Sequence, residues 1–208
     1  MNKFSSTESS SDNGKNEEIL LAQIRECFGR VAYSHKTHEK QADIFISKDK
    51  FWKTVQIILS VIVSGTLFAT LTELLGHGKS WILLGAILSV LLAILNLYLK
   101  NFNYGLEAKE HIGIATQLWN IREHYVSLIV DILSKSIDVE NAQKDRDIIQ
   151  EKLTNIYENA PRTTAKAYKM AQAALKFNEE LTFSTKEIDM LLPELLRLTK
   201  GSKISDNI

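Results

Sequence analysis

Two long apolar runs, five residues apart, decide what this chain can fold into. The first, VQIILSVIVSGTLFATLTELL, extends from Val55 to Leu75; the second, WILLGAILSVLLAILNLYL, extends from Trp81 to Leu99. Each holds about 20 residues, which at ~1.5 Å of rise per residue matches a hydrocarbon layer ~30 Å thick. Neither contains Asp, Lys or Arg, and Glu73 is the only acid. Backbone amides in lipid must be satisfied within their own segment, so each run is expected to be a helix. The link GHGKS leaves room only for a tight turn. The expectation is an all-α membrane protein, with a two-helix transmembrane hairpin over 54–100 and long helices continuing into a cytosolic bundle. A buried helical pair in a soluble bundle is the competing reading, but soluble-core runs of this kind are shorter, about 10–14 residues. A secretory signal is disfavoured because the first run begins only at Val55.

Outside the hairpin about 160 polar, charge-rich residues remain, enough for one modest helical domain. The formal net charge is zero, and no basic patch carries interleaved aromatics, so direct nucleic-acid binding is not expected. The single Cys27 excludes an internal disulfide and fits a reducing compartment. No run alternates with period two, so no strand is expected. The chain offers no Ser-His-Asp order, no phosphate-cradling glycine loop and no Cys/His metal spacing. Glu123 and His124 are adjacent on a helix and point to different faces. We therefore expect no enzyme, no cofactor and no metal.

Lysine sets the orientation. Lys48, Lys50 and Lys53 precede the first run, Lys100 and Lys109 follow the second, and the turn offers only Lys79. Excess Lys and Arg marks the cytoplasmic side, which places both termini in the cytoplasm of a multi-pass inner-membrane protein. Trp52 and Trp81 fall at opposite interfaces, with Tyr98, Phe102 and Tyr104 crowding the inner one.

Residues 1–16, rich in Ser and Asn, read as a disordered tail. A helix is expected over 17–53, with Leu20, Ile24, Cys27, Val31, His38, Ala42 and Phe45 forming one buried stripe. His35 and His38 could be a pH sensor or metal pair, but a packed histidine with one hydrogen bond is the commoner arrangement. Nothing breaks this helix before Trp52, so it feeds into the first span. There Gln56, Ser60, Ser64, Thr66, Thr70 and Glu73 share half a helical wheel. In the second span Gly85, Ser89 and Ala93 form a small-xxx-small line, and Asn96 can hydrogen-bond across. These polar arcs admit two readings: they pack the spans together, or part of them lines a path for water or ions. Two helices cannot enclose a pore, so the second reading demands a homo-oligomer.

The region 101–201 reads as cytosolic and helical. One helix is expected from Trp81 into the 130s, with a seam at Ile114, Leu118, Ile121, Tyr125, Leu128 and Ile132. It should pack antiparallel on the 17–50 helix. Asp138 is expected to cap a helix to about Glu158, and Asn159-Ala160-Pro161 to break it. Thr163 or Thr164 restarts a helix to about Glu180. Ser184 and Glu187 form a capping box for the last helix, kinked at Pro193 and stopped at Gly201. Arg122 and Arg162 could bind a signal phosphate or a partner, or pair with Glu across the bundle.

A long N-terminal helix, a two-span hairpin and then NFNYGLEAKEHIGIATQLWNIREHYVSLIVDI together resemble the SLATT domain, the SMODS- and SLOG-associating two-transmembrane effector. Phe102, His111, Trp119, Arg122 and Tyr125 carry the resemblance, with Asn159-Ala160-Pro161-Arg162-Thr163 resembling a branch found beside nucleotidyltransferases or reverse transcriptases. It covers roughly residues 17–190, within a single SLATT-like domain over 17–201. The resemblance implies a membrane effector of a bacterial anti-phage system acting by abortive infection. Such an effector assembles or opens a pore when a separately encoded sensor, nucleotidyltransferase or reverse transcriptase, or a nucleotide signal, triggers it. The alternative is a non-conducting membrane anchor whose cytosolic helices bind a partner protein.

Overall fold

A computed structural model describes the backbone of residues 5–73, 79–178 and 180–193, with side chains throughout except at 5–13, 68–73 and 79–82. All six elements among the described residues are helices. The first, α1, runs unbroken from Ser5 to Glu73, 69 residues, or about 100 Å. Both prolines lie elsewhere, at Pro161 and Pro193, so nothing stops the N-terminal part of the helix from continuing into the first apolar run. The helix starts at Ser5 rather than Glu17, which places 5–16 in helix instead of a tail. Tertiary packing begins at Leu20, and adding residues to an existing helix costs far less than starting one.

The expected single rod from Trp81 into the 130s is two helices, α2 (Lys79–Asn101) and α3 (Tyr104–Leu133). Gly105 and Gly113 lie within α3 and do not interrupt it. The break falls at Phe102 and Asn103. Asn103 leaves the helical region (φ −81°, ψ 79°), and its side-chain oxygen accepts from the Leu106 amide at 3.0 Å. A short amide side chain competes with the helix for backbone donors in this way, which makes Asn a starter of helices and a poor interior residue. Aromatic rings cluster around the break. Tyr98 packs on Trp52 and Phe102, and its hydroxyl lies 2.8 Å from that of Tyr104. Phe45 stacks on Tyr104, and Lys48 lies over both rings at 5.7 and 5.5 Å.

The core forms where α3 returns antiparallel along α1. Leu20, Ile24, Cys27 and Val31 of α1 meet Ile114, Leu118, Ile121, Tyr125, Leu128 and Ile132 of α3, the two stripes read from the sequence. The helix α4 (Val139–Asn159) adds Ala142, Ile149 and Ile156 to this cluster. Its start is fixed by Asp138, whose carboxylate accepts from the Asn141 amide at 2.8 Å. It ends at Ala160, extended at ψ 131°, because the ring of Pro161 excludes its predecessor from the helical region.

Thr164 caps α5 (Ala165–Lys176), which lays Ala167, Ala171 and Ala174 on α1. Three small residues on one face allow the close approach. Ser184 and Glu187 cap each other reciprocally at the start of α6 (Thr185–Leu191). Here the expected kink is corrected. Leu192, next to Pro193, is extended at ψ 148°, so the proline terminates the helix instead of bending it. Gly201 lies outside the described residues.

Candidate membrane face and the polar contacts of the bundle

Along the apolar runs, α1 and α2 pack antiparallel, as two cross-helix pairs reveal. Gln56 Nε2 donates to Asn96 Oδ1 at 2.8 Å. Further along, a Cβ on Gly85 would lie 3.3 Å from Thr66 Oγ1, so this approach suits only a small residue. Of the polar arcs, then, Gln56, Thr66, Gly85 and Asn96 join the two helices. Ser89 and Ala93 are exposed in the single chain, so the small-residue line makes its close contact with α1 at Gly85.

The hydroxyls are satisfied within their own helices. Ser60 donates to the Gln56 carbonyl at 2.7 Å, Ser64 to Ser60 at 2.9 Å, Thr66 to Val63 at 2.8 Å and Ser89 to Gly85 at 2.8 Å. A hydroxyl so engaged tolerates an apolar surrounding. The side chains of Thr70 and Glu73 lie outside the described residues.

Among the described residues one stretch, Leu83–Leu133, which spans α2 and α3, carries a window long and apolar enough to cross a membrane. That window has a mean hydropathy of 2.1, and none of it is buried within the chain. The first run shows the same outward character as far as Leu67, with Ile57, Ile58, Val61, Ile62 and Leu67 exposed.

Beyond the apolar runs, His38 and His111 meet across α1 and α3 with their Nδ1 atoms 2.9 Å apart, both rings buried. One ring must donate and the other accept, so at least the accepting ring is neutral. Burial, then the neighbouring His111 and His35, lowers the His38 pKa to about 4. Burial lowers His111 too, against Glu107 and Glu110. It also lowers His35, whose Nε2 lies 3.6 Å from Glu39. No trio of His, Cys, Asp or Glu able to hold a metal occurs among the described residues.

Sequence reasoning assigned His38 a packed role but no partner. The signal was present: in an antiparallel α1–α3 pair, Phe45 opposite Tyr104 puts His38 level with His111.

Arg122, on α3, bonds Glu123 beside it at 2.7 and 3.1 Å, so its partner is a neighbour on the same helix rather than a residue across the bundle. Arg162 is exposed in the α4–α5 link. Two contacts went unforeseen. Gln41, almost fully buried, accepts from both the amide and the hydroxyl of Thr164, at 2.9 and 2.7 Å. Glu180 joins Lys36 at 2.7 Å and Lys40 at 3.1 Å, and these two ammonium groups hold its carboxyl down at about 2. These lysines border a groove of about 570 Å³ between α1 and α3, with Trp119 on its far wall.

A family model, SMODS and SLOG-associating 2TM effector domain family 4, matches residues 20–187. The chain belongs to this SLATT family. The match runs from Leu20, where the core begins, to Glu187 of the last capping box, so the SLATT unit takes in both the apolar helices and the helical bundle beside them. Comparison with curated proteins and with solved structures returned no match.

Proposed function

We propose that this SLATT protein is a membrane effector of a bacterial anti-phage system. It crosses the inner membrane as a two-helix hairpin with both termini in the cytoplasm. A separately encoded sensor, nucleotidyltransferase or reverse transcriptase, or a nucleotide that such a partner makes, triggers it. The triggered subunits assemble and form or open a pore, and the infected cell stops before phage spreads. The observation that carries this reading is the apolar window of α2, most of which is exposed and none of which is fully buried in the chain. Water would strongly oppose such a surface, whereas lipid and sibling helices accept it. No catalytic step is involved.

The test is expression with the neighbouring partner while a voltage-sensitive dye follows the membrane potential. Collapse of the potential on activation is expected; cell death with the potential intact sinks the pore.

The second reading, a non-conducting anchor whose bundle scaffolds a partner, draws on the serine geometry. Ser60, Ser64 and Ser89 are satisfied by their own helices and need no water. Replacing Ser60, Ser64 and Asn96 with Leu separates the two. An anchor that still inserts keeps its activity, and a pore loses it.

A further inference from the structure

The helix α3 carries a second seam beside the one that packs on α1. The inner seam, His111, Ile114, Leu118, Ile121, Tyr125, Leu128 and Ile132, is buried. Ile112, Trp119, Val126 and Leu133 follow at seven-residue intervals, with Val130 between the last two, and all five are exposed. With Thr116 and Glu123 included, the outer positions step by four and three, the spacing of a coiled-coil seam. On a helix with one buried face, these positions are ordinarily polar. The two polar members are already engaged within the chain. Thr116 donates to the Ile112 carbonyl at 3.0 Å, and Glu123 holds Arg122. From Val126 to Leu133 the apolar members of the seam stay open in the single chain.

We propose that this outer seam of α3 docks a second copy of the chain, parallel and in register; the orientation rests on the membrane reading above. Spacing by four and three selects a helix as the occupant. Subunits held in one bilayer by α2, only two residues away from α3 in sequence, stand parallel and at equal depth. Each seam residue then meets its own equivalent, as in the layers of a parallel coiled coil. Glu123 arrives with its cation, so like charges do not meet bare.

The test uses the full chain extracted in detergent. Val126→Asp puts a charge in every copy of one layer. The wild type should run as a multimer once activated with its partner, whether or not it already does at rest, and the variant as a single chain in both states, with helicity unchanged by circular dichroism. Should the variant lose helicity, Val126→Cys decides. Under mild oxidation in membranes it should form disulfide-linked pairs of this chain, while Lys144→Cys on exposed α4 should not. A multimer that survives Val126→Asp, or a Val126→Cys chain that links to a different protein or to nothing, overturns the seam but leaves the pore reading standing. A wild type that runs as a single chain both at rest and when activated with its partner removes the assembly reading as well.

Discussion

His38 on α1 and His111 on α3 share one hydrogen bond, Nδ1 to Nδ1 at 2.9 Å, inside the bundle just below the aromatic cluster at Phe45 and Tyr104. Two imidazolium rings cannot occupy this geometry, because neither would have a lone pair to accept with. The folded pKa of His38, about 4, lies below the usual 6.5. The unfolded chain therefore binds the extra proton first as pH falls. Its stabilising effect is complete above pH 6.5 and declines toward pH 4, by up to roughly 3 kcal/mol. His35 and His111 shift in the same direction and reinforce it. Thermal melts in detergent should show a lower midpoint at pH 5 than at pH 7.5. His111→Leu should cost about 1–3 kcal/mol by leaving His38 unpaired, and His38→Leu with His111→Leu less than the sum of the single changes. A flat midpoint between pH 7.5 and 5 would show that burial does not hold these rings neutral.

Much of the bundle could be read in advance because local chemistry decides it. Asp138, Thr164 and Ser184 cap helices by short-range hydrogen bonds that depend on a few neighbours, and the stripes of α1 and α3 recur at helical spacing. The break at Asn103 escaped because an Asn within an apolar-to-amphipathic transition reads equally as interior or cap. The partners of His38, Gln41 and Glu180 lie 73, 123 and 140 or more residues away in sequence, where no local pattern points. At the membrane face the pattern revealed the polar arcs, but not which members bond across helices. Hydroxyls that turn back on their own carbonyls look the same in sequence as hydroxyls that line water.

Gln41 should be the main polar tie between α5 and α1. Its side-chain oxygen, on an almost fully buried residue, accepts two hydrogen bonds from Thr164, which itself stays exposed. Gln41→Leu keeps the volume but leaves the Thr164 amide and hydroxyl without their partner. The expected cost is about 1–3 kcal/mol, together with faster amide hydrogen exchange over 165–176 than elsewhere in the bundle. Uniform exchange across all helices would place the effect outside this contact.

Lys135 sits at φ 56°, the left-handed position that closes α3. The Ser136 amide reaches back to the Asp131 carbonyl and the Lys135 amide to that of Ile132, both at 3.0 Å. This end motif favours glycine. Lys135→Gly should raise stability by about 0.5–1 kcal/mol, less than the full left-handed cost because glycine also has more freedom when unfolded. A lowered melting midpoint would show that the lysine side chain contributes more than its backbone strain costs.

Gly85 allows α2 to approach Thr66 of α1, with only 3.3 Å between its missing Cβ and the threonine hydroxyl. Gly85→Ile places a branched side chain there and should push the helices apart, whereas Gly85→Ala demands only a small adjustment. Spin-label distances between sites on α1 and α2 should widen for the isoleucine and barely change for the alanine. Equal distances in both variants would show that the approach is not set at this point.

Gln56 and Asn96 form a side-chain hydrogen bond between α1 and α2, at 2.8 Å. Asn96→Leu removes the acceptor and leaves the Gln56 amide against apolar neighbours. Interhelical hydrogen bonds in membranes average about 0.6 kcal/mol, with an upper range near 2, so the expected loss is about 1 kcal/mol. Paired with Gln56→Leu, the two losses should fall short of additive, since the second change removes a group already without its partner. Unfolding by denaturing detergent gives all four corners of this cycle. Strict additivity would mean that the two amides do not meet in the membrane, and that each faces a neighbouring subunit or water instead.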